Sequence, residues 1–377
     1  MRSLSPLAAS ACTLALALAA AGCGGEEEPA LAAVDPGPAG LAVLGDYTHS
    51  ASAVDVQVVM GKRDGLAHPS DVAINPSEPG QLWVTNHRDD SIVVGFGLGA
   101  DGVEESEAFS AFGSEHFLAK PMALAFTDSG RFATIHDTDE KTQGEGGTPE
   151  DFMGPTLWDD NMDMFDGGHG GHLDMLHNSP LGGGIAWDQR NAFWVFDGYN
   201  RSITYYDFKE DHDYAGADHS DGVVRRYVEG EVKRKRKVPS HLELDRETQL
   251  LYIADTGNSR IAVLDTTTGK RGDEVGPNYD GTDQVEWKNA SLWSLVEDAE
   301  ISIGMTAPAG LALHDGTLYV SDHDAGRILA FDLQGNLLDW LDLDVGEGAL
   351  GGIDFDADGA LYVTDMAANE VLRITPL

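Results

Sequence analysis

The sequence contains almost no cysteine. Its 377 residues include two, Cys12 and Cys23, and both lie close to the N-terminus. Residues 24–377 therefore have no thiol for a disulfide bond, a zinc–thiolate site or a cysteine nucleophile. A metal bound in this part of the chain has to be held by imidazole, carboxylate or carbonyl groups.

Basic residues and helical patterns are scarce as well. The chain has 24 lysines and arginines against 64 aspartates and glutamates, which gives a formal net charge of −40. A surface this acidic repels nucleic acid, so we expect no nucleic-acid partner. The one basic run, Lys233–Lys237, is interpreted as a solvated strand that balances the acidic surface around it. No long segment has the apolar period of a helix, which favours an all-β fold.

The N-terminus has the pattern of an export signal. An apolar run extends from Leu4 to Ala21, and it ends in small residues immediately before Cys23. Such a run is typical of a signal peptide, here over residues 1–22. Residues 23–50 are mostly small or polar, with several glycines and prolines, which predicts a flexible tether.

The residues Ala20-Ala21-Gly22-Cys23 resemble the bacterial lipobox, in which the cysteine becomes the lipidated first residue of the mature protein. The resemblance implies a lipid on Cys23 and a membrane as the partner of that lipid. It also implies an exported protein on the periplasmic or cell-surface side. A plain signal peptide, or an apolar segment retained as a membrane anchor, is the alternative interpretation.

One pattern recurs six times along the rest of the chain. Each unit has a Pro or Gly pair, a short strand of alternating apolar residues, a polar turn, and a second strand that ends in Asp or Asn. These terminal residues, called the anchors below, are Asn86, Asp137, Asp197, Asp255, Asp322 and Asp365. We expect each anchor to accept backbone N–H bonds in its turn. Six units of three or four antiparallel strands predict an all-β, six-bladed β-propeller over residues 51–377.

The segment Leu251–Asp265, LYIADTGNSRIAVLD, resembles the consensus of NHL repeats, and LYVSDHDAGRILAFD and LYVTDMAANEVLRIT are looser copies. The resemblance covers about residues 65–377 and implies a single-domain, six-bladed propeller of the NHL or TolB-like type. The sixth unit holds only three strands. We therefore expect Val54–Met60 to supply the fourth strand of the last blade and to close the ring.

Three insertions interrupt the repeat, at residues 138–178, 209–222 and 270–304. Loops that depart from a repeat often carry function. The first two insertions are rich in histidine and aspartate and flank the third unit, so they can meet in space. We expect a loop around His169, His172 and His177, because neither a helix nor a strand presents all three on one face. The candidate metal ligands are His172, His177, His212, His219 and Asp221, with His241 as a neighbour.

Imidazole and carboxylate ligands without a thiolate suit a divalent transition metal such as zinc, copper or iron. The alternative is a polar surface loop without a metal. A second group of polar residues is assigned to the channel face of the propeller, where a protein, peptide or glycan would bind: His68, Asp71, His87, His136 and His323.

Residues 69–74, PSDVAI, resemble an inner strand of the peptide α-amidating lyases, which are propellers that bind zinc through histidines in the central channel. In that family, Pro-His-hydrophobic entries supply the zinc ligands. The matching entries here are Pro308-Ala309-Gly310-Leu311, without a histidine, and Pro239-Ser240-His241-Leu242, with the histidine one position late. These departures argue against the lyase reaction.

The sequence thus predicts an exported, lipid-anchored propeller that acts as a binding or scaffold module at the cell envelope. The competing function is that of a metal-dependent enzyme, a hydrolase, lyase or oxidoreductase, with its site in the same insertions. The fold alone does not decide between them, because propellers host both kinds of function.

Overall fold

The alternating strands of the repeat pair into six sheets, and these sheets are the blades of a β-propeller. A computed structural model describes residues 40–111, 115–139, 153–165, 172–210, 212 and 218–377. The expected signal peptide, Cys23, His169 and most of the tether lie outside the described residues. The expected six-bladed, all-β architecture is confirmed.

The first strand, β1, spans Val54–Met60 and precedes the blades in sequence. Blade one consists of β2–β5, at Pro69–Ile74, Gln81–Asn86, Ser91–Phe96 and Glu105–Phe109. Blade two consists of β6–β9, at Pro121–Phe126, Arg131–His136, Met153–Asp159 and His172–His177. Blade three begins with β10–β13, at Gly184–Gln189, Ala192–Asp197, Ser202–Asp207 and Val223–Tyr227.

Blade four consists of β14–β16, at Leu242–Asp245, Leu250–Asp255 and Arg260–Asp265, and of a later strand. The next three strands, β17–β19, span Lys270–Glu274, Asp283–Lys288 and Ser291–Glu297. Blade five consists of β20–β23, at Pro308–His314, Thr317–Asp322, Arg327–Phe331 and Leu337–Asp342. Blade six contains β24–β26, at Leu350–Phe355, Leu361–Asp365 and Glu370–Pro376.

Helical segments in the described residues are short. They are one α-helical turn, Met162–Phe165, and several 3₁₀ turns, at Ala42–Leu44, Ala51–Ala53, Lys62–Asp64, Glu115–Leu118, Thr256–Asn258 and Asp298–Glu300. In the described part of the chain, no helix has both the length and the apolar character needed to cross a membrane.

Strand β1 closes the ring, as the sequence predicts. It pairs antiparallel with β26, from Val54 opposite Pro376 to Met60 opposite Val371, and becomes the outermost strand of blade six. The first and last strands of the propeller thus share one sheet. This pairing covers the edge of β26, which would be exposed to solvent in a three-stranded sixth blade.

Apolar side chains fill the spaces between neighbouring blades. Between blades one and two, Trp83, Phe132, Trp158 and Phe165 form an aromatic cluster, and the first three of these side chains are fully buried. Trp83 and Phe132 meet edge-to-face with ring centroids 5.0 Å apart. Such contacts hold the blades at a fixed angle and thereby place the loops at the two ends of the central channel.

The expectation for residues 138–178 is wrong in its main part. This segment contains β8 and β9, which are the third and fourth strands of blade two. The stretch His172–His177 is therefore a strand and not a loop. Its apolar residues Leu173, Met175 and Leu176 are buried, which explains why the segment pairs with the blade despite its polar residues.

The third expected insertion, 270–304, is also largely made of strands. Strand β19 is the outermost strand of blade four, and β17 and β18 extend blade three. Strand β18 pairs parallel with β13, so the hairpin is added to the outer edge of that blade. The second insertion, 209–222, lies between β12 and β13, and its described residues, 209, 210, 212 and 218–222, are not in strands.

Residues 40–50, which precede the expected domain boundary at residue 51, pack against the propeller. Leu44 is fully buried among side chains of blades five and six. The backbone N–H groups of Leu41 and Tyr47 both donate to Asp339 Oδ2, at 3.1 and 3.3 Å. His49 stacks on Trp340 with ring centroids 3.4 Å apart. Residues 40–50 are thus packed against the propeller and do not belong to the tether.

Candidate functional site

The anchors fix the loops at one end of the channel. Asn86 Oδ1 accepts the backbone N–H of Ala67 at 3.0 Å, directly before the inner strand of blade one. Asp322 Oδ1 accepts the N–H of Ala307 at 3.0 Å at the same place in blade five. Each anchor thus ties the end of a second strand to the segment that enters the inner strand. The expected structural role of the anchors is confirmed at these blades.

Blade two departs from the repeat by one residue. His136 pairs with Pro121 as Asn86 pairs with Pro69, so His136 and not Asp137 occupies the anchor position. His136 is fully buried, and its Nδ1 lies 3.2 Å from the carbonyl oxygen of Gly154. The assignment of His136 to the channel face is therefore wrong, because the offset turns its side chain into the blade.

The end of the channel where the inner strands begin holds a cavity of about 500 Å³, called the mouth cavity here. Its walls are segments before the inner strands of blades one to four and residues that follow second strands. The lining residues are His68, His87, Arg88, Lys120, Asp137, Asp139, Leu181, Arg234, Arg236 and Lys237. Five of these ten side chains are cationic and two are anionic. The most basic part of a chain with a net charge of −40 thus surrounds one cavity.

The basic run Lys233–Lys237 is a loop and not the solvated strand expected from the sequence. Asp255 Oδ1, from the anchor of blade four, accepts the backbone N–H of Lys233 at 2.7 Å. Arg234 forms an ion pair with Asp137 across the mouth. A Cβ atom at Gly198 would lie 2.4 Å from Arg234 Cδ, so the absence of a side chain at that position gives Arg234 its path into the cavity.

Two of the predicted channel-face histidines line the mouth cavity. His87 Nε2 lies 3.2 Å from Asp137 Oδ2, and the rings of His68 and His87 are 5.5 Å apart. Burial, and then the nearby His87 and the positive charge of Arg88, lower the pKa of His68 to about 4. His323 is also buried, and its Nδ1 lies 2.7 Å from the carbonyl oxygen of Leu350.

Asp71 and His241 meet inside the channel. Asp71 Oδ1 lies 3.3 Å from His241 Nε2, which connects the inner end of blade one with that of blade four. The equivalent position in blade six is Gly352, where a Cβ atom would lie 2.2 Å from Asp71 Oδ1 and 2.9 Å from His241 Cε1. Burial raises the pKa of Asp71 to about 7 and lowers the pKa of His241 to about 4. Between about pH 4 and about pH 7, therefore, both the Asp71 carboxyl and the His241 imidazole are uncharged.

A second cavity, of about 300 Å³, is lined by the inner strands and is called the strand-lined cavity here. It includes the carboxyl groups of Asp71, Glu243 and Asp354. Burial, and then the neighbouring Asp354, raise the pKa of Glu243 to about 8. Burial also raises the pKa of Asp354 to about 7, although its two oxygens accept the N–H groups of Ile74 and Phe355.

A third group, called the His/Asp cluster here, consists of Asp174, His212 and His219. The β12–β13 loop folds over β9, where the N–H of His212 donates to the carbonyl oxygen of Leu173 at 3.2 Å. His219 Nδ1 lies 2.6 Å from Asp174 Oδ1, and His212 Nε2 lies 3.3 Å from Asp174 Oδ2. One candidate ligand atom from each residue lies within 4.8 Å of the others.

The His/Asp cluster has unused bonding capacity. Asp174 is fully buried, and among the described residues neither Asp174 Oδ2 nor His212 Nε2 has a hydrogen-bond partner. Burial raises the pKa of Asp174 even though His219 hydrogen-bonds to it. Burial alone would lower the pKa of His219, but the hydrogen bond and charge of Asp174 outweigh it and raise that pKa. A buried carboxylate oxygen facing an imidazole nitrogen is a chemical setting in which a metal ion would satisfy both.

The structure brings together two of the candidate metal ligands, His212 and His219, and places the others elsewhere. His177 Nδ1 lies 2.6 Å from Asp280 Oδ1. The ring of His172 stacks on Phe117 with centroids 3.8 Å apart.

The last two candidates lie in a surface loop and in the channel. Asp221 is exposed, and its Oδ2 accepts the N–H of Glu210 at 3.2 Å. His241 lies in the channel beside Asp71.

Sequence reasoning passed over two carboxylates of this region as site residues. Asp174 stands beside the candidate histidines in the sequence, and its alternation with His172 on a strand is the signal that could have selected it. Asp280 comes from the loop between β17 and β18, and its two oxygens contact the N–H and the ring of His177. No local pattern links Asp280 to His177, because 103 residues separate them.

Comparisons with known proteins identify the fold. No family model matches the sequence, and no curated protein matches it. Among solved structures, an auxiliary nutrient binding protein from Bacteroides ovatus has a TM-score of 0.55 at 14% identity, over 86% of this chain and 76% of that one. Virginiamycin B lyase from Staphylococcus aureus has a TM-score of 0.51 at 13% identity, over 86% of this chain and all of that one.

A luciferin-regenerating enzyme is similar to the same degree, with a TM-score of 0.51 at 13% identity over 86% of this chain and 96% of that one. These neighbours include enzymes and binding proteins. At such low identity the similarity concerns the fold and not the activity. The chain is a six-bladed β-propeller.

Proposed function

We propose that this protein is an exported, lipid-anchored binding module that holds its ligand in the mouth cavity. The observation that carries the proposal is the convergence of side chains from blades one to four on one cavity of about 500 Å³. Ligand pockets in proteins generally have volumes of about 300–1,000 Å³ and a few convergent polar groups. The ligand is a peptide, a glycan or a segment of another protein.

The fold comparison is consistent with a binding role. Two auxiliary nutrient binding proteins of Bacteroides share the propeller architecture, with TM-scores of 0.55 and 0.54. These two proteins support the proposal only in showing that a propeller of similar architecture can be a binding protein.

Export and anchorage rest on the N-terminal sequence. The apolar run before Cys23 and the small residues beside it support a lipid on that cysteine and a position on the periplasmic or cell-surface side. Metabolic labelling with a radioactive fatty acid is expected to mark the wild-type protein and to leave a Cys23→Ser variant unlabelled. Equal labelling of both proteins would contradict lipidation at this residue.

A panel of peptides, glycans and small metabolites tests the binding function. We expect at least one class to raise the Tm of the purified protein, because a ligand that binds only the folded state stabilises it. Leu181→Trp, which places a large side chain in the mouth cavity, should abolish that increase. Leu377→Trp is the matched control, since Leu377 is 85% exposed at the end of the chain.

The same ligand response in the Leu181→Trp variant as in the wild type would show that the mouth is not the binding site. A panel without any effect on the wild-type Tm would count against the binding function as a whole.

The His/Asp cluster favours a second candidate function, that of a metal-dependent enzyme. Asp174, His212 and His219 offer one carboxylate and two imidazoles. A set of three protein ligands leaves a coordination position open, which is typical of catalytic rather than structural zinc sites and also of iron sites. Zinc, iron or copper bound here would supply a Lewis acid or redox centre.

Metal analysis separates these two candidates. Protein purified without a histidine tag and dialysed against zinc should retain one equivalent, and EDTA should lower its Tm. Asp174→Asn and His219→Ala should lose the metal, whereas His314→Ala, at a partly exposed histidine stacked on Phe355, should keep it. A wild-type protein that holds no metal and melts unchanged in EDTA would remove the enzyme candidate and leave the binding module.

A further inference from the structure

We propose that the ligand group seated in the mouth cavity is an oxyanion, a carboxylate or a phosphate. The inference rests on the proposed function in one respect, namely that a ligand occupies this cavity. It adds the chemical class of the group that is recognised there.

The first argument is the charge of the lining. Arg88, Lys120, Arg234, Arg236 and Lys237 face two carboxylates, Asp137 and Asp139. Asp137 is already neutralised by its ion pair with Arg234 and by a hydrogen bond with His87. Burial alone would raise the pKa of Asp137, but these partners outweigh it and lower that pKa, so the group is a carboxylate at neutral pH. The cations other than Arg234 therefore outnumber the one remaining carboxylate of the lining, Asp139.

Three of the five cations of the mouth differ from Arg234 in their contacts. Within the part of the chain that the structure describes, the side chains of Arg88, Arg236 and Lys237 form no ion pair and no hydrogen bond. All three are exposed. By contrast, Arg225 pairs with Asp283 and Arg260 pairs with Asp255. A group of cations without acidic partners at one cavity is a setting that an oxyanion would complete.

A residue of the lining also holds an unpartnered polar atom among the described residues. His68 Nδ1 is buried and has no hydrogen-bond partner among the described residues. The imidazole is neutral at neutral pH, because its pKa is lowered to about 4. A neutral ring offers one N–H donor and one acceptor. His68 therefore adds hydrogen-bonding capacity to the lining of the mouth cavity without adding a charge.

Guanidinium groups favour this class of ligand. The planar fork of an arginine matches two oxygens of a carboxylate or phosphate, and such charge-assisted bonds are stronger than neutral ones. Arg88 lies on the blade-one side of the cavity, and Arg236 lies on the loop before blade four. The two arginines thus approach a bound group from different sides of the mouth.

The test is calorimetric titration of the full chain with inorganic phosphate and, separately, with citrate in Tris chloride at pH 7.5. The two probes distinguish a phosphate site from a carboxylate site. We expect at least one probe to bind the wild type and to bind an Arg236→Gln/Lys237→Gln variant about tenfold or more weakly. The control is Lys62→Gln/Arg63→Gln, which removes the same charge from two exposed residues outside the mouth cavity. Its affinity should remain within about twofold of the wild type.

Raising the salt concentration from about 20 to about 200 mM should weaken the wild-type affinity, because exposed charges are screened. Equal losses in the two double variants, or a wild type that binds neither probe, would overturn the inference. The Leu181→Trp test keeps the two proposals separate. If that variant still blocks a panel ligand while phosphate and citrate fail to bind, only the oxyanion assignment falls.

Discussion

The two cavities of the propeller carry opposite chemistry. The mouth cavity is lined by five cations, and three of them are exposed and lack partners among the described residues. The strand-lined cavity contains three carboxyl groups, Asp71, Glu243 and Asp354, whose pKa values are raised to about 7 or 8. The cations belong to connecting segments, whereas the carboxyl groups belong to the inner strands β2, β14 and β24.

This difference shows how position in the blade decides the state of an ionisable group. A side chain on an inner strand is buried by its neighbours, and burial favours its neutral form. A side chain on a loop keeps its charge in water. The basic mouth is therefore a charged surface open to ligands, while the carboxyl groups near the inner strands are largely neutral at slightly acidic pH.

Deleting β1 should abolish both cavities, which is the largest effect we expect. Without residues 54–60, blade six has three strands and the ring loses its closing pair with β26. The protein should fail to fold or lose more than about 10 °C in Tm, as measured by calorimetry. A deletion of residues 24–38, within the expected tether, serves as the control and should leave Tm unchanged. Unchanged melting of the β1 deletion would refute the role of this strand in closure.

Replacing Arg234 by glutamine should destabilise the mouth more than replacing its neighbour Lys235. Arg234→Gln leaves Asp137, which is 8% exposed, without its cationic partner, and we expect a loss of about 1–3 kcal/mol in the free energy of unfolding. Lys235 pairs with the more exposed Asp324, so Lys235→Gln should cost less than about 1 kcal/mol. Urea denaturation measures both.

The loss in the free energy of unfolding caused by Arg234→Gln should depend on pH. The pKa of Asp137 in the folded protein is lowered, so its ion pair stabilises the fold above the unfolded pKa of about 4. That contribution is lost as the pH falls through the lower folded value. The two proteins should therefore differ less in acid than at pH 7, and an equal difference at both pH values would contradict the ion-pair explanation.

Glu243→Gln should have the smallest effect, with the opposite pH dependence. The folded pKa of about 8 lies above the unfolded value. Between about pH 4 and about pH 8 the group is therefore ionised in the unfolded chain but protonated in the folded protein, and the wild type loses stability as the pH rises. The variant should melt about 1–3 °C above the wild type at pH 9 and at the same temperature at pH 4. The exposed Glu347→Gln serves as the control. A pH-independent difference would mean that Glu243 is not neutralised by burial.

The architecture could be predicted because the same strand–turn–strand pattern recurs six times in the sequence with few departures. Six anchors fixed the number of blades, and the missing strand of the sixth unit pointed to Val54–Met60. Blade two was harder to predict. Its anchor position is occupied by His136, and its outer strand alternates buried apolar residues with Asp174 and histidines. Asp174 contacts His212 and His219, which follow β12, and His177 contacts Asp280, which follows β17.

The candidate sites could be predicted only in part. His212 and His219 were selected because they lie in one insertion, and their meeting with Asp174 depends on how that loop folds over β9. The role of Lys233–Lys237 was missed because a charge run in sequence has the same appearance whether it lies in solvent or beside a cavity. The packing of the blades around the channel brings Arg234 to Asp137, although 97 positions separate the two residues in the sequence.

The pairing of β1 with β26 also determines when the chain can finish folding. Val54 and Pro376 are partners, and 322 positions separate them. During synthesis, β1 emerges early and cannot pair with β26 until nearly the whole chain has followed. Its sequence, VDVQVVM, is rich in β-branched residues and has a single charge, so the waiting strand is a site for intermolecular pairing. The ring can therefore close only if β1 is still unpaired when β26 has been made.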